Sequence, residues 1–223
     1  MFNGASSFIE SVDGVFLFTI IVSVFFLVLI TTLMIGFVIK YNRKKNPKAV
    51  NIKGNTKLEI LWTVIPTILV LIMFWYGWIG YLDMVNIPED AMPVDVTAQM
   101  WSWKFKYSNG METDSLYVPV NKPVSLKLKS NDVSHAFFIP ALRIKKDVYP
   151  GTEREVWFEA TVIGEYDIAC TEYCGLNHSY MYSKIHVLSQ EDFDNWFYGI
   201  SEEDQKLLEE MTKGTEEESP IEN

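Results

Sequence analysis

The sequence predicts a two-helix transmembrane hairpin followed by an all-β sandwich of Greek-key type. Three observations carry this. Two apolar runs, 15–40 and 58–84, are each longer than a bilayer core is thick. Seven of the 19 Lys and Arg side chains crowd into the segment from Lys40 to Lys57. After residue 93 the texture changes to short strand-like pieces divided by turn signals.

Residues 1–14 carry Glu10 and Asp13 but no Lys or Arg, and are expected to lie on the outer side of the membrane. The run 15–40 (VFLFTIIVSVFFLVLITTLMIGFVIK) has no charge before Lys40. At about 1.5 Å per residue it outspans a hydrocarbon core of roughly 30 Å. A signal sequence is the competing reading, but it needs a basic leading segment and a shorter apolar stretch. The loop 41–57 holds Arg43, Lys44, Lys45, Lys48, Lys53 and Lys57 without an acid, which places it in the cytoplasm and both termini outside. The run 58–84 is charged only near its ends, at Glu59 and Asp83. It gathers Trp75, Tyr76, Trp78 and Tyr81 at one end, where amphipathic rings favour the headgroup level. Glu59 suits the positive end of a helix dipole, and Pro66 predicts a kink farther in.

A Pro-containing link, 85–93, leads to the sandwich, 94–198. Strands are predicted in 94–107, Val118–Val120, Val124–Lys129, Ala136–Ile139, Glu155–Ala160 and Tyr180–Leu188, paired antiparallel. A short helix is expected over Glu191–Ile200 with Ser189 as its N-cap, and 199–223 forms an acidic tail. Beyond Asp83 there are 25 acidic and 12 basic side chains. Such an outer body suits a basic partner and not nucleic acid. No internal repeat and no Gly-rich phosphate loop is present.

The chemistry concentrates in CTEYCGLNHSYM, residues 170–181, which holds both cysteines of the chain. A Cys-x3-Cys pair can be a disulfide, half of a zinc site, or two buried thiols. Cys170, Cys174, His178 and Met181 together let one loop wrap an ion, and the thioether favours copper over zinc. His135, where a polar turn gives way to an apolar strand, supplies a further ligand. Single-copper electron-transfer sandwiches use one upstream His followed by a Cys, His, Met loop. Here one additional Cys allows two thiolates to bridge two coppers, each taking one His. His186, in SKIHVL, reads as an ordinary strand residue.

The loop resembles the C-x-E-x-C-G-x-x-H-x-x-M motif of cytochrome c oxidase subunit II, bacterial type. SHAFFIPALRIKKDVYPG is similar to that family's segment around its first His, and LEILWTVIP to the start of its second helix. The resemblance covers roughly residues 15–198 and implies a cupredoxin-like sandwich carrying the dinuclear copper centre CuA. It implies that Cys170 and Cys174 bridge both coppers and that His135 and His178 each bind one. Met181 and the backbone carbonyl of Glu172 would be the weaker ligands. The Glu172 side chain would reach a Mg or Mn ion shared with subunit I.

The run 99–107 alternates, so Trp101, Trp103, Phe105 and Tyr107 are predicted to share one face of a strand. By resemblance to the family's W-x-W-x-[FY]-x-Y stretch, Trp101 is where an electron arrives from cytochrome c. Asp132 and Asp147, with Glu112 or Asp114, match an acidic docking surface. Glu59, in its E-x-x-W-T-x-x-P context, matches a residue assisting proton uptake into subunit I. The implied role is an electron-transfer subunit of an oxidoreductase and translocase in the bacterial inner membrane, partnered by subunits I and III and by lipid. Reduction of oxygen to water and proton pumping would occur in subunit I. No Cys-x-x-Cys-His occurs, so no haem is expected in this chain, and no cysteine near the N-terminus offers lipid attachment. The competing functions are a copper-free scaffold subunit of a quinol oxidase, a tethered nitrous oxide reductase domain and a single-copper protein. The full ligand set opposes the first, Glu172 and the two-helix anchor the second, and the second Cys the third.

Overall fold

The computed structural model describes residues 4–48, 50–51 and 53–199. It forms two compact units: Phe8–Asn86, and Ile87 onward together with the segment ending at Ser7. The predicted tail 199–223, beyond Gly199, lies outside the described residues, as does the end of the predicted helix at Ile200.

The first unit is a pair of helices, each long and apolar enough to cross a membrane. α1 (Ile9–Lys40) begins ahead of the predicted Val15, with Glu10 in its first turn, where the helix dipole favours an acid. α2 (Thr56–Val85) opens on Asn55, whose side chain accepts a hydrogen bond from the Leu58 N–H at 3.2 Å. Pro66 sits inside α2 and withholds one backbone donor. None of the residues of either helix is buried, so apolar surface runs along their length, as in a span meant for lipid or other helices.

The second unit is a sandwich of two five-stranded sheets. Its strands are β1 (Met92–Gln99), β2 (Ser102–Tyr107), β3 (Glu112–Thr113), β4 (Leu116–Pro119), β5 (Pro123–Ser130), β6 (His135–Ile139), β7 (Ile144–Val148), β8 (Arg154–Glu159), β9 (Gly164–Cys170) and β10 (Tyr182–Leu188). One sheet runs β3-β2-β1-β5-β8, the other β4-β10-β9-β6-β7. The pairing is not purely antiparallel as predicted: β1 with β5 and β10 with β4 are parallel, because the chain crosses between sheets before returning alongside. Strands β3, β7 and β9 fall outside the predicted segments. β7 and β9 carry Lys, Asp and Glu among their apolar positions, which weakens the local signal.

Alternation builds the core. Val94, Val96 and Ala98 of β1 and Trp103, Phe105 and Tyr107 of β2 face inward onto Leu116, Phe137, Ile139, Ile168 and Ile185 of the other sheet, all buried. Trp103 meets Phe137 edge to face at 5.2 Å between centroids, a contact worth about 0.5–1.5 kcal/mol beyond its area. On the outer face of the first sheet the register lines up Glu112, Lys106, Asp95, Lys127 and Glu155 across all five strands, alternating in sign.

The predicted strand 94–107 is two strands. Gln99 pairs with Ser102 across a tight turn made of Met100 and Trp101, so Trp101 leaves the face that Trp103, Phe105 and Tyr107 share. α3 (Gln190–Tyr198) starts at Ser189, whose Oγ accepts from the Asp192 N–H at 3.1 Å, and ends on left-handed Gly199.

Candidate metal centre

Three connections meet at one end of the sandwich: the β1–β2 turn, the β5–β6 loop and the β9–β10 loop. The first two are joined where the Asn131 N–H donates to the Ala98 carbonyl at 3.0 Å. The third is closed by its own ends, since the Cys170 N–H donates to the Met181 carbonyl at 3.1 Å, and is tied to β6 where the Thr171 N–H donates to the Ala136 carbonyl at 3.1 Å. A 3-10 turn, His178–Tyr180, folds the loop back before β10. The loop's first cysteine is thus the last residue of β9, opposite Phe137 of β6, and its methionine immediately precedes β10.

This closure brings the predicted ligands together. The Sγ atoms of Cys170 and Cys174 lie 3.8 Å apart, and both thiols are free and buried. His135 Nδ1 is 3.8 Å from Cys170 Sγ, and the Glu172 carbonyl oxygen is 3.3 Å from the same sulfur. His178 Nδ1 is 3.5 Å from Cys174 Sγ, and Met181 Sδ 3.8 Å from it. The ligand atoms of His135, Cys170 and Cys174 all fall within 4.8 Å of one another.

The donor set has two sides sharing a pair of sulfurs, each side with one imidazole nitrogen and one weaker donor. An ion with sulfur bonds of about 2.3 Å can touch both sulfurs across that gap. Two thiols, two imidazoles and a thioether favour a soft metal. Burial first, and then the neighbouring Cys170, push the Cys174 thiol up to about 12, so a metal must displace its proton on binding.

His135 is fully buried and its Nε2 donates to Asp132 Oδ1 at 2.9 Å. A carboxylate only accepts, so this bond puts the neutral ring's proton on Nε2 and leaves the Nδ1 lone pair for a metal. Burial works against the Asp132 charge, but hydrogen bonds from His135, Met100 and Val133 outweigh it and hold the carboxyl at about 2. Sequence reasoning places Asp132 on a docking surface and misses this contact. The Asp-x-x-His spacing was the available signal.

Trp101 is half-buried and rests on the metal loop. A Cβ added to Gly175 would lie 3.3 Å from Trp101 Cζ2 and 3.4 Å from its Nε1, and Gly175 itself has φ +118°. Only glycine permits both that backbone and that approach. The Glu172 side chain is exposed. Asp147 of β7 pairs with Lys145 at 3.3 Å and accepts from Tyr149 Oη at 3.3 Å. Glu112 lies 3.8 Å from Lys106, and Asp114 is paired with Lys104. His186 stands apart from the ligand cluster, stacked on Tyr117 with centroids 4.6 Å apart and its Nδ1 3.2 Å from Glu165. Glu59 lies in the first turn of α2, in the other unit.

Comparison with known proteins gives one family over both units. The model for the cytochrome c oxidase subunit II periplasmic domain matches residues 67–188, and that for the subunit II transmembrane domain matches 1–77. A probable cytochrome c oxidase subunit 2 of Rickettsia bellii is 30% identical over 215 residues, covering 86% of this chain and 80% of the relative. The cytochrome c oxidase subunit 2 of Alkalihalophilus pseudofirmus is 36% identical over 199 residues, covering 83% of this chain and 58% of the relative. Among solved structures, the periplasmic domain of subunit II of the Bradyrhizobium japonicum cytochrome oxidase is 29% identical with a TM-score of 0.48, covering 50% of this chain and 94% of that one.

Proposed function

Since the chain belongs to the cytochrome c oxidase subunit II family, we propose that it is the electron-accepting subunit of its oxidase, carrying a dinuclear copper centre of the CuA type. It is a subunit of a haem-copper cytochrome c oxidase, an oxidoreductase complex. The observation that carries the copper reading is the pairing around the two sulfurs: His135 and the Glu172 carbonyl against Cys170, His178 and Met181 against Cys174. A soft-ligated copper pair bound there would take up and release one electron with little change in its bonds.

The chain's residues supply the rest. The sandwich holds these six donors on two adjacent strands and one closed loop, so little needs to move on reduction. Cys170, Cys174, Met181 and His135 are buried, which keeps water from the sulfurs. Trp101, in contact with Gly175, gives an electron from cytochrome c an indole to arrive on. His178 is only half-buried and offers a way out towards subunit I. The exposed Glu172 carboxylate is free for a hard ion, Mg or Mn, at that boundary. Tyr173, Leu176 and Tyr180, 77%, 86% and 81% exposed, surround the loop with apolar surface suited to a partner subunit. Asp147 contributes to docking a basic cytochrome, Glu59 assists proton uptake on the cytoplasmic side, and the sandwich stands on the periplasmic face of the inner membrane.

Copper analysis and electron paramagnetic resonance of the full chain in detergent test this. Two coppers per chain sharing one unpaired electron, both lost in Cys174→Ser, is the expected result. A single-nucleus signal, or zinc bound in preference to copper, refutes it.

A further inference from the structure

The Asp132 carboxylate reaches two pieces of the site at once. Its Oδ1 accepts from His135 Nε2 at 2.9 Å and from the Val133 N–H at 2.6 Å. Its Oδ2 accepts from the Met100 N–H at 2.6 Å. Met100 opens the tight turn whose next residue, Trp101, rests on Gly175 of the ligand loop. The side chain is 24% exposed, so these bonds are partly shielded from water. Ser130 steadies the loop, its hydroxyl donating to the Val133 carbonyl at 2.6 Å.

We infer that Asp132 is a positioning residue that holds the His135 imidazole and the Met100–Trp101 turn in one geometry, so that a metal ligand and the indole on the metal loop are set by a single carboxylate. The inference deepens the copper reading above and rests on it for its metal readout. A ligand imidazole with a carboxylate on its far nitrogen is fixed in tautomer and ring angle, and losing such a partner costs about 10–100-fold in metal affinity. The second arm has a different chemistry. An amide at position 132 keeps an oxygen for His135 and Val133 but turns an NH2 towards the Met100 N–H, donor against donor.

The two arms therefore separate by substitution in the full chain in detergent. Asp132→Ala should weaken copper binding about 10–100-fold in competition with a cuprous chelator. In the metal-free protein it should also abolish the Nε2–H tautomer of His135 seen by nitrogen NMR. Asp132→Asn should keep that tautomer and most of the affinity. It should still shift the Trp101 indole resonance, which is assigned by its loss in Trp101→Phe. Asp167→Asn, which removes one exposed carboxylate elsewhere, is the charge control.

If Asp132→Ala leaves affinity within about twofold and the tautomer unchanged, the positioning role is wrong. It is equally wrong if the variants differ from Asp167→Asn only in a salt-suppressed rate of reduction by cytochrome c, since that is docking alone. Should the unmodified chain bind no copper pair, the copper reading fails, while the tautomer and indole readouts still decide the positioning role. Should Asp132→Ala fail to fold, Asp132→Asn decides it: an unmoved indole resonance overturns the coupling.

Discussion

His135 and His178 flank the same pair of sulfurs and are held in opposite ways. His135 starts a core strand, is fully buried, and has its far nitrogen bound to Asp132. His178 sits on a 3-10 turn of a surface loop, half-buried beside Tyr173 at 5.8 Å between centroids, and no described residue hydrogen-bonds its Nε2. One side of the site is completed by the sandwich itself. The other is left open, with the far nitrogen of His178 without a hydrogen bond among the described residues. On the proposed reading, a centre taking electrons from one protein and giving them to another would use this division, with a rigid side against the core and an accessible side towards its partner.

The largest effect should separate the two rings. His135→Ala leaves a cavity and strips the Asp132 carboxylate of one donor, and should destabilise the metal-free chain by about 2–4 kcal/mol in denaturant unfolding. His178→Ala should cost less than about 0.5 kcal/mol, because its ring packs against little. Both should lose copper, but added imidazole should restore it only to His178→Ala, whose gap opens to solvent. Equal stabilities, or rescue of both, would erase the distinction.

A smaller effect tests whether the indole belongs to the rigid side. Gly175→Ala must adopt φ +118° and place a methyl 3.3 Å from Trp101. It should cost about 1–3 kcal/mol and slow reduction by cytochrome c while two coppers remain bound. Unchanged reduction with the substitution tolerated would mean that Trp101 is not the point of arrival. The smallest effect on the copper itself should come from Glu172→Gln. The backbone carbonyl near Cys170 stays, so two coppers should bind with their spectrum intact. Manganese bound at the boundary with subunit I, read by its own resonance in the assembled oxidase, should be lost.

The donors were legible in the chain because ligand chemistry is local: Cys170, Cys174, His178 and Met181 share one loop, and their spacing survives any fold that closes it. The two membrane helices were legible for a similar reason, since an uninterrupted apolar run has few soluble alternatives. Alternation read correctly for Trp103, Phe105 and Tyr107 but carried one residue pair too far. A tight turn inside an alternating run leaves the pattern of apolar and polar residues intact while reversing the chain, so the pattern put Trp101 on the strand face of Trp103, Phe105 and Tyr107. β7 and β9 were missed because pairing with neighbours, rather than their own composition, makes them strands.

The amino-acid sequence by itself determined which soft donor side chains share one loop and that two apolar helices precede the sandwich, because residue types and their short-range spacing carry that information. Only the tertiary structure decided how the site is held. The Met100 N–H reaching Asp132, which itself holds its near neighbour His135, and Trp101 lying on Gly175 are contacts that join three loops distant in the chain. They exist because two sheets, with strands paired both parallel and antiparallel, bring those loops to one end. Spacing along the chain carries no trace of a meeting made by strand order.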